Sequence, residues 1–343
     1  MFGDPITQVT HPFDSKFNLF VHFKALKSAL EQYHAVAVLN IETFEAVLQF
    51  RESLITLFPQ FLQIENDRKI YTAKFDSQAL RFIGWRPYLP KAIVAFKDKF
   101  AFKEVLHHRG FLTPTSSTRL EAMAYPLIIK TNADSFGQGI LGPFRGQSAA
   151  ISVLTQNQYY ETFIEGNSVK IWYWNHLPLC AEIQDRCYIT GDGHSTIREL
   201  ITILQPYQAI IPDKHIQMCL EYSNNNWDTV LTKGEKQLIE FRHLPDIISF
   251  VKSRHILIQE ETIPCELQDE LHQLGDFLQE VIANEFTGDL FYTVDAICDS
   301  QQKLWILEVN SNPMIPPDAY QHMIKVLHAK ATGGRKDVSL EYS

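Results

Sequence analysis

The stretch FYTVDAICDSQQKLWILEVNSNP, residues 291–313, restricts the fold more than any other part of this 343-residue chain. Two largely apolar runs flank a polar turn, CDSQQK, which is the pattern of a β-hairpin with a buried face. Residues two apart on a strand leave the same face, so Glu308 and Asn310 point together. Folding the hairpin about Gln301–Gln302 brings Asp295 almost opposite Glu308. Two carboxylates and an amide oxygen then converge, and SNP turns the chain directly afterwards. A solvated face that happens to carry acids is the alternative. Leu304, Ile306, Leu307 and Val309 argue instead for a buried strand, where carboxylates need partners. Hard oxygen donors of this kind suit Mg2+, which bridges phosphate oxygens.

A second stretch, KTNADSFGQGILG (residues 130–142), contains G-x-G-x-x-G at Gly137, Gly139 and Gly142, with Glu161 about 20 residues beyond. A dinucleotide fingerprint must follow a strand and open a helix, because the pyrophosphate sits on the helix N-terminus. YPLIIK supplies the strand, but Pro143-Phe144-Arg145-Gly146 follows Gly142, and the first helical pattern begins near Gln147. The Rossmann reading fails on that ground, and no Walker A pattern is present. A glycine-rich hairpin tip still offers successive backbone N–H groups to an anion, with Lys130 adding a charge. A surface hairpin without a ligand is the other reading.

Net charge is −9, from 31 Lys and Arg against 40 Asp and Glu. No long basic cluster is seen, which argues against nucleic acid or an anionic membrane as a partner. No run reaches 18 apolar residues, and the N-terminal residues lack a signal-peptide pattern. Cys180, Cys187, Cys219, Cys265 and Cys298 are odd in number and widely spaced, which suggests reduced thiols and a cytoplasmic protein. His107 and His108 read as surface residues of a helix.

Residues 1–95 read as a small α/β domain, with a strand in AVAVLNIETF and a helix-period pattern in FEAVLQFRESLITLF that ends at Pro59. FKDKFAFKEVLHHRG (96–110) reads as a helix stopped by Gly110. SVKIWYWNHLPLCAEIQDRCYI reads as a hairpin turning at NHLP, and helical patterns return at 196–205 and 265–284. Strands joined by hairpins predict antiparallel sheets and an α+β class. The tail 331–343 is polar and reads as loose.

Over roughly residues 95–320 the chain resembles the ATP-grasp ligases. Asp295 with LWILEVNSNP looks like their magnesium motif, and KDKFAFKEVLHHRGFLTP is similar to their DK…K…L…G…TP segment. GDGHSTIRELI (191–201) resembles a segment of cyanophycin synthetase and of bifunctional glutamate–cysteine ligase/glutathione synthetase; locally it is a turn followed by a Thr196–Glu199 capping box. The resemblance implies two α+β subdomains clasping ATP, a lid at 96–165 and a C-terminal subdomain at 166–330. It further implies two Mg2+ ions, replaceable by Mn2+, on Asp295, Glu308 and Asn310. Lys99, Lys130 and the loop with Ser135, Gly137 and Gly139 would hold phosphates. QYYETFIEG would be the hinge, with Glu161, Phe163 and Ile164 at adenine and Ser168 near the ribose. Arg242 would stabilise the reacting acylphosphate, and Arg186 would hold a substrate carboxylate; a surface salt bridge is the alternative for each.

The chain departs from the family at Asn167–Ser168, where an acid is usual, and at Lys170, where an arginine often stands. HLPDII follows Phe241-Arg242 in place of an Asn/Ser/Gly-Gly loop, and Pro313-Met314 replaces Pro-Gly. The implied activity is an ATP- and Mg2+-dependent carboxylate–amine ligase acting on small amino-acid or peptide substrates. A small-molecule kinase and a non-catalytic nucleotide-binding protein are the competing readings. Residues 1–95 carry no motif; acceptor binding and homodimerisation are roles open to them.

Overall fold

The computed structural model describes residues 19–65, 68–132, 139–146, 154–203, 211–242, 253–258 and 265–333. Contacts divide the chain into two compact units, Met1–Ala92 with Asn312–Ser343, and Ile93–Ser311.

In the first unit, helix α1 (Leu19–Glu31) precedes β1 (Val36–Leu39), β2 (Ala46–Phe50), β3 (Ser53–Glu65), β4 (Arg68–Thr72) and β5 (Ala79–Arg86). The sheet runs β1-β2-β3-β4, with β5 also on β3, and every pairing is antiparallel. The helix expected within 44–58 is therefore a hairpin. Phe50, Leu54 and Phe58 stand four apart and imitate a helical stripe, yet Ala46, Leu48 and Phe50 bury alternate positions as a strand does. Phe50 pairs with Ser53 across Arg51-Glu52, and Arg51 takes the positive φ (54°) that such tight turns need.

The second helix of this unit, numbered α6 (Ala319–Ala331) for its place in the chain, packs on α1. Tyr320 fixes it there: its hydroxyl accepts from the Trp85 N–H at 2.9 Å and lies 3.1 Å from His22 Nδ1. Residues 312–330, expected in the C-terminal subdomain, thus belong to the same unit as the N-terminal residues. Propensity does not reveal this, because α6 looks like any amphipathic helix.

The second unit opens with a 3-10 turn, Val94–Phe96, and α2 (Lys99–His108). A four-stranded sheet has the order β6 (Ser116–Ser117), β9 (Gln158–Thr162), β7 (Leu127–Thr131), β8 (Leu141–Phe144). A five-stranded sheet has the order β14 (Ser253–Leu257), β11 (Leu177–Gln184), β10 (Asn167–Trp174), β15 (Phe291–Cys298), β16 (Leu304–Asn310). A ribbon of β12 (Cys187–Thr190) and β13 (Lys236–Glu240) carries α3 (Ile197–Ile203) and α4 (Asp213–Tyr222), while α5 (Cys265–Ala283) packs on β11. All pairings are antiparallel, as the hairpins predicted, and the fold class is α+β. Gly142 enters a strand rather than a helix, which disposes of the dinucleotide fingerprint. The Thr196–Glu199 capping box is formed: Thr196 N–H donates to Glu199 Oε2 at 2.8 Å, and Glu199 N–H to Thr196 Oγ1 at 3.3 Å.

Candidate active site

One face of the large sheet carries a charged row. Glu182 stands opposite Lys170, Lys170 opposite Asp295, and Asp295 opposite Glu308. Paired residues on antiparallel strands share a face, so β11, β10, β15 and β16 contribute one residue each. Lys170 Nζ lies 2.8 Å from Asp295 Oδ1, and Lys99 Nζ, arriving from α2, lies 2.6 Å from Glu308 Oε2. Burial would raise the Glu308 carboxyl, but Lys99 and Lys130 outweigh it and hold the group well below its ordinary range.

Asn310 donates its Nδ2 to Asp295 Oδ2 at 3.1 Å and to Glu308 Oε1 at 3.3 Å. A single amide nitrogen thus marks the point on which both carboxylates converge. Amide nitrogen and oxygen have nearly the same shape, and the turned amide puts a third hard oxygen there. That donor set fits Mg2+. Among the described residues no group of three or more His, Cys, Asp or Glu side chains gathers, so the two carboxylates with their amide are the metal candidates.

A second cluster lies close enough for its lysines to feel the charges of Glu308 and Lys99. Glu161 on β9 is 1% exposed and takes two lysines. Lys130 of β7 bonds its Oε1 at 3.0 Å, and Lys103 of α2 pairs with its Oε2. Lys99 and Lys103 are four apart, so one helix face delivers both. Burial, and then Lys130, pull the Lys103 ammonium well below its ordinary value; burial, and then Lys99, bring Lys130 down to about 8. Four lysines, Lys99, Lys103, Lys130 and Lys170, therefore face four carboxylates, Glu161, Glu182, Asp295 and Glu308, in these two clusters. Lysines set among carboxylates in this way can exchange those partners for an incoming anion.

The start of α2 is tied to the end of β7. Asn132 accepts from the Phe100 N–H at 3.1 Å and donates to Asp98 Oδ1 at 2.9 Å, while Asp98 caps the helix through the Ala101 N–H at 3.0 Å. Ser135 and Gly137, expected at phosphates, lie outside the described residues; Gly139 has φ 71°.

Between β9 and β10 the chain passes a hinge-like segment. Its Phe163 N–H donates to Pro126 O at 2.9 Å, and the Phe163 ring meets Tyr222 and Phe241 edge-on. At Gly166 (φ 158°) a Cβ would stand 2.2 Å from the Cys298 carbonyl oxygen, so no other residue fits. Arg186 locks the segment. It donates to Phe241 O at 2.7 Å, to Ile164 O at 2.8 Å and to Gly166 O, with its guanidinium 5.1 Å from the Phe163 ring centroid. Arg186, expected at a substrate carboxylate, is thus buried and committed to three main-chain carbonyls.

Arg242 forms a two-point contact with buried Glu240, through Nε at 2.9 Å and Nη2 at 2.5 Å, and its Nη1 lies 3.2 Å from His215 Nε2. Ser168 lies two residues before Lys170 on the same face of β10, in register with Ile297 and Gln184.

No family model matches the chain, and no curated protein matches it. Among solved structures, a bifunctional glutathione synthetase from Pasteurella multocida is similar at 16% identity and a TM-score of 0.44, over 90% of this chain and 44% of that one. A D-alanine–D-alanine ligase from Bacillus anthracis complexed with ATP is similar at 14% identity and TM-score 0.38, over 70% and 68%. The ATP-grasp ligase PsnB is similar at 12% and 0.37, over 68% and 61%. This chain spans less than half the length of the glutathione synthetase. Likenesses at this level establish neither activity nor substrate. No helix among the described residues is long and apolar enough to cross a membrane.

Lys103 and Asn132 were not singled out from sequence. Lys103 carries a usable signal: it sits beside Phe102 on the apolar side of an amphipathic helix, a costly place for a cation without a partner. Asn132 carries none, because its role depends on where α2 begins in space.

Proposed function

We propose that the protein is an ATP- and Mg2+-dependent carboxylate–amine ligase that works through an acylphosphate. The observation that carries this reading is the gathering of two convergent carboxylates and four lysines within one unit of the chain. Mg2+ on Asp295, Glu308 and Asn310, as one ion or two, would neutralise charge on the phosphate oxygens.

The chain's own residues do the remaining work. Lys103 and Lys130 bind phosphate oxygens of ATP from the Glu161 cluster, and Lys99 and Lys170 exchange their carboxylate partners for substrate anions as the site fills. Phe163 and Ile164 border the base, with Arg186 holding their backbone fixed. The γ-phosphoryl passes to a substrate carboxylate oxygen and ADP leaves. An amine then attacks the acyl carbon, phosphate departs, and the amine's extra proton goes to solvent. Catalysis is positioning and charge neutralisation. Arg242 is the candidate to stabilise the charge on the acylphosphate once it turns from Glu240. Small amino acids or peptides are the proposed substrates, and the cytoplasm the proposed location.

Phosphate release measured over pairs of amino acids with ATP and Mg2+ tests the reading. A ligase releases phosphate only when acid and amine are both present. Stable phosphoryl transfer to one acceptor, or turnover that survives Glu308→Ala, defeats it.

A further inference from the structure

Two buried side chains in the first unit keep polar atoms without a hydrogen-bond partner among the described residues. Arg86 is 1% exposed and Gln60 is 0% exposed. Strands β3 and β5 pair Phe58 with Arg86 and Gln60 with Gly84, so Gln60 and Arg86 are diagonal neighbours on one face. Arg86 donates its Nη1 to Asn312 Oδ1 at 3.1 Å and lies 5.2 Å from the Tyr88 ring centroid. Burial lowers its pKa; Tyr88, through its phenol and a side-chain hydrogen bond to the guanidinium, and then Tyr71 act against this, with no carboxylate among them. Among the described residues Arg86 Nη2 has no hydrogen-bond partner, and neither Nε2 nor Oε1 of Gln60 has one. A guanidinium and an amide left open in a closed interior are both costly. Leu or Met would fill the same space without that cost, so the polar pair implies something polar to meet it.

We propose that Arg86 and Gln60 form a binding site for the carboxylate of an α-amino acid or a peptide terminus. Arg86 Nη2 and Gln60 Nε2 are two donors for the two carboxylate oxygens. Gln60 Oε1 is an acceptor for the neighbouring ammonium or amide N–H. The residues 312–317 cover this face: Ile315 N–H donates to Ile83 O at 2.9 Å, and a Cβ on Gly84 would come within 2.7 Å of the Ile315 side chain. A ligand reaches Arg86 when that cover lifts, and Asn312 Oδ1 occupies one donor until then.

The test compares the full-length wild type, Gln60→Leu and Arg86→Lys by thermal shift and calorimetry. The probes are the twenty L-amino acids, succinate and inorganic phosphate, each with and without ATP and Mg2+. At least one carboxylate is expected to raise the wild-type Tm, and phosphate is not. Gln60→Leu removes two unsatisfied atoms without opening a void, so its ligand-free Tm rises while its affinity for that carboxylate falls at least about tenfold. Arg86→Lys keeps the charge, loses the fork and weakens binding as well. The site is refuted by a lower ligand-free Tm in Gln60→Leu, by binding that survives both substitutions, by an equal response to phosphate, or by no response to any carboxylate. The two ideas fail separately. Carboxylate binding without ATP-dependent phosphate release sinks the ligase reading alone. Phosphate release with carboxylate binding that both variants retain sinks this site alone.

Discussion

At the scale of single residues, the cluster around Glu161 decides how the site behaves with pH. Lys130, held near 8, is half protonated at about pH 8, and an arriving phosphate favours the charged form. ATP binding at pH 8 should therefore take up about half a proton, read by calorimetry in two buffers of different ionisation enthalpy. Affinity should fall as pH rises above 8; an affinity flat from pH 7 to 9 would count against Lys130 as a phosphate ligand. The folding linkage has the opposite sign. Between pH 8 and the ordinary 10.5 the unfolded chain holds more protons at this lysine, so its contribution makes the fold more stable as pH rises through that window. Lys103→Met should weaken ATP binding about tenfold or more, roughly 1.4 kcal/mol. Asp295, Glu308, Asn310 and Lys130 were legible in the sequence because strand alternation and a hairpin place them without long-range knowledge. Lys103 was not singled out, since a lysine gains meaning only when a buried carboxylate from another element, 58 residues on, is set beside it.

At the scale of elements, α2 depends on a strand for its start. Asn132→Ala removes an acceptor for the Phe100 N–H and a donor to the capping carboxylate, and should cost about 1 kcal/mol in denaturant melts. The same change should raise the KM for ATP more than it lowers kcat, because it shifts both lysines of the helix together. Asn132→Asp keeps the acceptor but sets a second carboxylate against Asp98, so it should not restore that loss. Arg186→Met leaves three buried carbonyls without their donor, a cost of about 3 kcal/mol or more; a melt unchanged within error would mean that water replaces the guanidinium. The hairpins of this unit were readable because each closes on a short polar turn. The β2–β3 hairpin was misread as a helix because aromatic and leucine residues four apart satisfy both periods over one short window. Only the partner strands settle which face is buried.

At the scale of the whole molecule, composition and hairpin pattern were enough for an antiparallel α+β chain of more than one unit. They were not enough for the boundary, because α6 joins residues nearly three hundred positions earlier. Its anchoring points, the Tyr320 contacts with His22 and Trp85, have no local sequence signature. Shortening the chain after Ser311 should therefore damage the first unit rather than trim the second. The expected readout is lost protection from hydrogen exchange in β3 and β5, with β10 and β15 spared.

The same arrangement orders events at the ribosome. Residues 93–311 are complete and free to fold while the unit begun by α1 still lacks the helix that closes it. At about 5–20 residues per second, that first sheet waits on the order of ten to fifty seconds for its last partner. Throughout that interval the apolar side that α6 will cover is open to whatever it meets. The unit made first is finished last, and the early part of the chain is where a chaperone would be needed.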